Sequence, residues 1–117
     1  MYARSFEELN IWQKSQELSV LIYSHFKPCN DYGFKDQIQR ASVSVMNNIA
    51  EGFERESKID FARFLVISKA SSGEVRSMFY LEEKLNYLTV SDSDQLINDY
   101  KNLSISIQSL RKSILNK

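Results

Sequence analysis

QIQRASVSVMNNIAEGFERES, from Gln37 to Ser57, lays two stripes side by side on one helix. At about 100° per residue, Ile38, Ala41, Val45, Ile49 and Phe53 share an apolar arc, and Gln37, Arg40, Ser44, Asn48, Glu51 and Arg55 fall in a narrow polar sector beside it. The arc is what a helix needs to join a core. The polar sector is additional: Arg40 and Ser44 stand one turn apart, as do Ser44 and Asn48, and Glu51 follows three residues on, so each side chain can hydrogen-bond the next. Glu74, at the edge of the next helix's apolar arc, is the expected partner of Arg40. Such residues suit a solvated face, a polar device setting the register of helices or subunits, or a phosphate contact at Arg40 and Arg55, which Glu51 opposes.

Working outward, three helix starts follow from a serine with an acid three residues on: Ser5 with Glu8, Ser57 with Asp60, and Ser91 with Asp94. The first helix is expected from about Phe6 to Phe26, burying Leu9, Trp12, Leu18, Val20, Leu21, Ile22 and Tyr23 before Pro28 stops it. The second runs from near Phe34 to about Arg55, with Gly52 inside its buried arc, where the missing side chain lets a neighbouring helix come close. The third runs from about Lys58 to Tyr87, where Phe61, Phe64, Leu65, Val75, Met78 and Phe79 flank a waist of Ser68, Ser71 and Ser72 suited to a close crossing. In the fourth, Leu96, Tyr100, Leu103, Ile107, Leu110 and Ile114 alternate steps of four and three, leaving Ile97 and Ile105 to face another subunit. The expected fold is all-α: one domain over residues 1–117, an antiparallel up-down-up-down four-helix bundle.

Fifteen basic residues balance fifteen acidic ones in 117, so the whole chain lacks the charge of a dedicated nucleic-acid binder. The local exception is Lys101, Arg111, Lys112 and Lys117, which follow Asp99 with no later acid. They suit a helix C-terminus, and they are the candidate nucleic-acid contacts. One His and one Cys, without an ExxH or HxxxH pair, exclude a dedicated transition-metal site. His25 belongs to the last turn of the first helix, and no third group orients it toward Cys29 as a nucleophilic pair. Three scattered glycines make no phosphate loop. No catalytic residue, cofactor or metal is therefore assigned. A lone cysteine and an opening MYARSFEELNIW without a long apolar run lead to an expected cytoplasmic location, without a membrane partner.

The same stretch resembles the central motif of the 23S rRNA intervening-sequence proteins, a family of four-helix bundles. Its most specific element is the run Asn48, Ile49, Ala50, Glu51, Gly52, with Arg40 and Ser44 upstream. Phe6 to Leu18 is similar to the family's opening helix and Phe61 to Leu88 to its third, with Ala70 and Ser71 in place of a Gly–Ser step and Glu82 where a small or apolar residue is usual. The resemblance implies a left-handed antiparallel bundle that assembles into a homo-oligomer, best known as a pentameric ring, with no established enzyme activity. A related branch is the basic, nucleic-acid-binding accessory protein of diversity-generating retroelements.

Two functions are expected from this. The first is a non-enzymatic oligomeric scaffold or adaptor, in which Arg40, Ser44, Asn48, Glu51 and Glu74 form a structural or interface network. The alternative is an accessory protein that binds structured RNA, or partners a nucleic-acid-processing protein, through a basic surface arrayed by oligomerisation.

Overall fold

Within residues 3–116, which the computed structural model describes, a 3-10 turn at Phe6–Glu8 precedes four α-helices. These are α1 (Asn10–Phe26), α2 (Tyr32–Phe53), α3 (Lys58–Leu85) and α4 (Val90–Leu115). Together they form the all-α four-helix bundle that the apolar periods predict.

The helix ends follow from identifiable side chains. Ser57 caps α3 by accepting the Asp60 amide at 3.0 Å, as its spacing predicts. At α2 the cap is Asp31, which accepts the Phe34 amide at 3.2 Å. The cap of α4 is Thr89, which takes the Asp92 amide at 3.1 Å, so the expected Ser91–Asp94 start is displaced to the same pattern two residues earlier. Ser5 makes no side-chain cap, and the expected continuous first helix breaks at Leu9, whose backbone is extended. That bend turns Leu9 and Ile11 into the core, while Phe6 packs edge-on against Trp12 at 5.2 Å. At the other end of the chain's longest helix, Asn86 is left-handed (φ 59°), so α3 stops at Leu85 rather than Tyr87.

Consecutive helices run antiparallel. Phe26 meets Phe34 at 5.6 Å across α1–α2, Gln37 reaches Glu74 across α2–α3, and Ser72 meets Ser104 across α3–α4. The result is a rod with extents of 45 × 20 × 19 Å. Leu18, Ile22, Phe26, Ile38, Val45, Ile49, Leu65, Val75, Phe79, Leu96, Tyr100 and Ile107 form one contiguous core. Gly52 is a site of close approach between α2 and α3: a Cβ there would stand 2.5 Å from Phe64 Cβ and 3.1 Å from Phe61 Cδ1.

Four burial expectations are corrected. Val20, Leu21 and Tyr23 of α1 are exposed because the buried arc of that helix runs through Ile11, Ser15, Leu18, Ser19, Ile22 and Phe26. Ile97 is buried beside the α4 seam rather than presented outward, whereas Ile105 is exposed. Among the described residues, no helix is long and apolar enough to cross a membrane.

Candidate functional site

The polar stripe of α2 divides by depth. Its inner half is interfacial: Ser44 Oγ lies 2.8 Å from Ser71 Oγ on α3, and the Asn48 amide donates to the Ser44 carbonyl at 2.8 Å and to Ser44 Oγ at 3.0 Å. The outer half is a surface feature. Arg40, with a side chain 80% exposed, pairs with Asp36 at 2.8 Å, and Arg55 pairs with Glu51 at 3.3 Å. Exposed pairs one turn apart contribute only a few tenths of a kcal/mol. The expected Arg40–Glu74 contact is replaced by Gln37, whose amide donates to Glu74 Oε2 at 3.4 Å. Arg40 instead pairs with Asp36, one turn back on its own helix, which leaves Glu74 to Gln37.

Ser44–Ser71 belongs to a larger arrangement. At nearly the same height, Ser19 donates to Ser42 at 2.9 Å across α1–α2, and Ser72 lies 2.7 Å from Ser104 across α3–α4. One turn away, Ser68 donates to the Val45 carbonyl at 2.7 Å. Three of the four helix contacts are thus tied by serine pairs, forming a belt of small side chains around the middle of the rod. Burying these hydroxyls is tolerable because each has a partner, and their size lets the backbones come close.

Glu82, a departure from pattern at the sequence level, is fully buried and closes the far end of α3. Its Oε2 accepts the Leu88 amide at 2.9 Å, so the carboxyl holds the turn that the left-handed Asn86 begins. Nearby, the Tyr87 hydroxyl donates to Asp31 Oδ2 at 2.7 Å, joining that turn to the α1–α2 loop. This bond pushes the Tyr87 hydroxyl up to about 12 and holds the Asp31 carboxyl below its ordinary value. His25, Cys29, Asp31 and Tyr87 line one shallow pocket there. His25 Nδ1 faces Asp92 of α4 at 3.9 Å, and the Cys29 thiol lies 3.9 Å from the Asp31 carbonyl oxygen.

The C-terminal cations also separate. Lys101 and Lys112 line a groove of about 380 Å³ between α3 and α4, together with Lys69 and Arg76. Arg111 is half-buried and, one residue before Lys112, lies about 100° around the helix from it. Lys117 lies outside the described residues. Sequence reasoning missed Lys69 and Arg76, although their spacing of seven, like the spacing of eleven between Lys101 and Lys112, places each pair on one helix face.

A protein from Bacteroides thetaiotaomicron, described as of unknown function and from the S23 ribosomal protein family, has a crystal structure similar to this fold. The TM-score is 0.81 at 24% identity, with 87% of this chain and 98% of that one covered, a likeness that speaks for the fold. No curated protein matches the chain significantly. The family description "23S rRNA-intervening sequence protein" fits residues 7–109, which takes in α1 to α3 and most of α4, and the chain belongs to that family.

Proposed function

We propose that the protein is a cytoplasmic, non-enzymatic scaffold that works as a homo-oligomer, with five copies the number that the family resemblance implies. The observation that carries this reading is the outward face of α3. Ile59, Val66, Ala70 and Leu81 fall within about 60° of one another on that helix. All four are exposed, and Ile67 and Leu85 flank them, also exposed. With Arg63 and Ser77 interleaved, the row from Ile59 to Leu81 runs for roughly 33 Å at the standard helical rise. Fully burying a side chain of the Val, Leu or Ile class is worth about 1.5–3 kcal/mol, so a second copy covering this stripe gains a substantial driving force.

A ring requires two different patches, since a patch that meets itself gives only a dimer. Val20 and Tyr23 on α1 supply a second exposed apolar pair. Helices α1 and α3 stand diagonally across the bundle, so the two patches face different directions, as a head-to-tail ring needs.

Light scattering at micromolar concentration tests the reading. The expected mass is several times that of the protomer, five times for a pentamer. Val66→Glu with Leu81→Glu should yield a monomer with unchanged helical content. A wild-type protein that stays monomeric overturns the proposal.

A further inference from the structure

We infer that the α3–α4 groove is a binding site for the sugar–phosphate backbone of a single-stranded nucleic acid. Four cations, Lys69 and Arg76 from α3 and Lys101 and Lys112 from α4, line this groove together with Ser104, Ile105, Gln108 and Ser109. Among the described residues, no carboxylate lines it. In a chain with fifteen acids and fifteen bases, that local imbalance is an asymmetry of placement and owes nothing to net charge.

None of the four cations forms an ion pair among the described residues, where Arg40, Arg55 and Arg63 each have an acid within one turn. The Arg76 Nε is shielded from solvent and has no acceptor among the described residues. A shielded donor of this kind is left unmet until an acceptor reaches the guanidinium. The groove thus holds one partly desolvated guanidinium and three exposed ammonium groups, a set suited to phosphate oxygens.

The layout favours a strand over a single anion. Lys101 and Lys112 are eleven residues apart on α4, roughly 16 Å along the axis. The Ser72–Ser104 contact puts Arg76 near the level of Lys101 and Lys69 between the two lysines. One phosphate meets only one end of such a row, whereas successive phosphates of a strand can meet all of it. Apolar surface is interleaved: Ile105 lies exposed in the groove, and Tyr80, exposed and one turn beyond Arg76 on α3, offers a ring for a base to stack on. Cationic grooves with an adjacent aromatic platform bind single strands with little sequence preference. This face is distinct from the apolar stripe of α3, so the inference does not depend on self-assembly.

Fluorescence anisotropy of the full chain with a labelled oligouridylate of about 20 nucleotides, titrated over a range of salt, is the test. Four phosphate contacts predict a slope of log affinity against log salt of about −3, at roughly −0.7 per contact for single strands. Lys101→Glu with Lys112→Glu should remove half of that slope or more. Lys27→Glu with Lys58→Glu changes net charge equally on other faces and should leave at least most of it. Tyr80→Ala should weaken binding about tenfold at constant slope. Light scattering on each variant shows that assembly is unaltered, which separates failure of this inference from failure of the scaffold reading. Absence of binding at low salt, an equal loss in both double variants, or full displacement by equimolar inorganic pyrophosphate overturns it.

Discussion

Ser72 donates its hydroxyl proton to the Tyr100 carbonyl at 3.0 Å and lies 2.7 Å from Ser104 Oγ, so Ser104 is the donor in that second bond. A single buried side chain therefore ties α3 to both the backbone and a side chain of α4. Ser72→Ala removes both bonds and strands the Ser104 hydroxyl, for an expected loss of about 1–3 kcal/mol in urea unfolding. Ser72→Ala with Ser104→Ala should cost less than the sum of the single changes, because the second removes a group the first has already orphaned.

Gly52→Ala sets helix propensity against packing. Propensity favours Ala by up to about 1 kcal/mol. The new Cβ would sit 2.5 Å from Phe64 Cβ, an atom fixed to the α3 backbone, so the helices must separate. Overpacking typically costs about 1–3 kcal/mol, and the expected net effect is destabilisation seen as a lower thermal midpoint. Equal or greater stability would remove Gly52 as the reason α2 and α3 come close.

Glu82→Ala should be among the more damaging single substitutions on α3. It leaves the Leu88 amide without its acceptor and opens a void at a fully buried position. An unsatisfied buried donor alone costs about 1–3 kcal/mol. Glu82→Gln keeps a carbonyl oxygen for Leu88 and should cost less than half as much, whereas an equal loss would show that charge, not the cap, matters. Denaturant unfolding of both variants decides.

The Asp31–Tyr87 bond gives stability two pH edges. Asp31 has a depressed folded value, so its contribution is full above the unfolded carboxyl range and is lost as pH falls through the folded one. Tyr87 is raised from 10.0 to about 12, so its contribution is full below pH 10 and fades as pH rises toward 12. Tyr87→Phe should flatten the alkaline edge between those values and weaken the acid one. Thermal melts across pH are the measurement. An alkaline edge unchanged in Tyr87→Phe would assign it to another group.

The fold was legible because periodicity reports burial in long helices. The α2 arc and most of the α4 seam lie where their spacing puts them, and Gly52 is the close approach that its place in the arc implies. Residues misread share a physical cause. Val20 and Tyr23 are apolar yet exposed, and periodicity alone cannot rank two overlapping arcs on α1 when serines such as Ser15 and Ser19 carry part of the buried one. Thr89 caps α4 two residues before the Ser91–Asp94 candidate, and Asp31 caps α2 without the acid three residues on that marked the other starts. In the candidate sites, the Ser44–Asn48 bond was visible within one helix, but Ser71 as a partner and Lys69 and Arg76 beside Lys101 and Lys112 depend on how two helices are docked.

The serine belt also bears on which structures the chain avoids. A seam of Leu and Ile looks much the same to a neighbour after sliding by seven residues, about 10.5 Å, so aliphatic packing alone separates such mistakes weakly. A hydrogen bond across two helices does not survive a slide of even one turn, about 5.4 Å. Ser19–Ser42, Ser44–Ser71 and Ser72–Ser104 therefore act as alignment marks, each checking a different pair of helices. A slid bundle must leave several hydroxyls buried and unmet together, which lifts the competitor far more than the belt lowers the native state. Side chains that add little to total stability thus set much of the gap between the correct bundle and its nearest impostor.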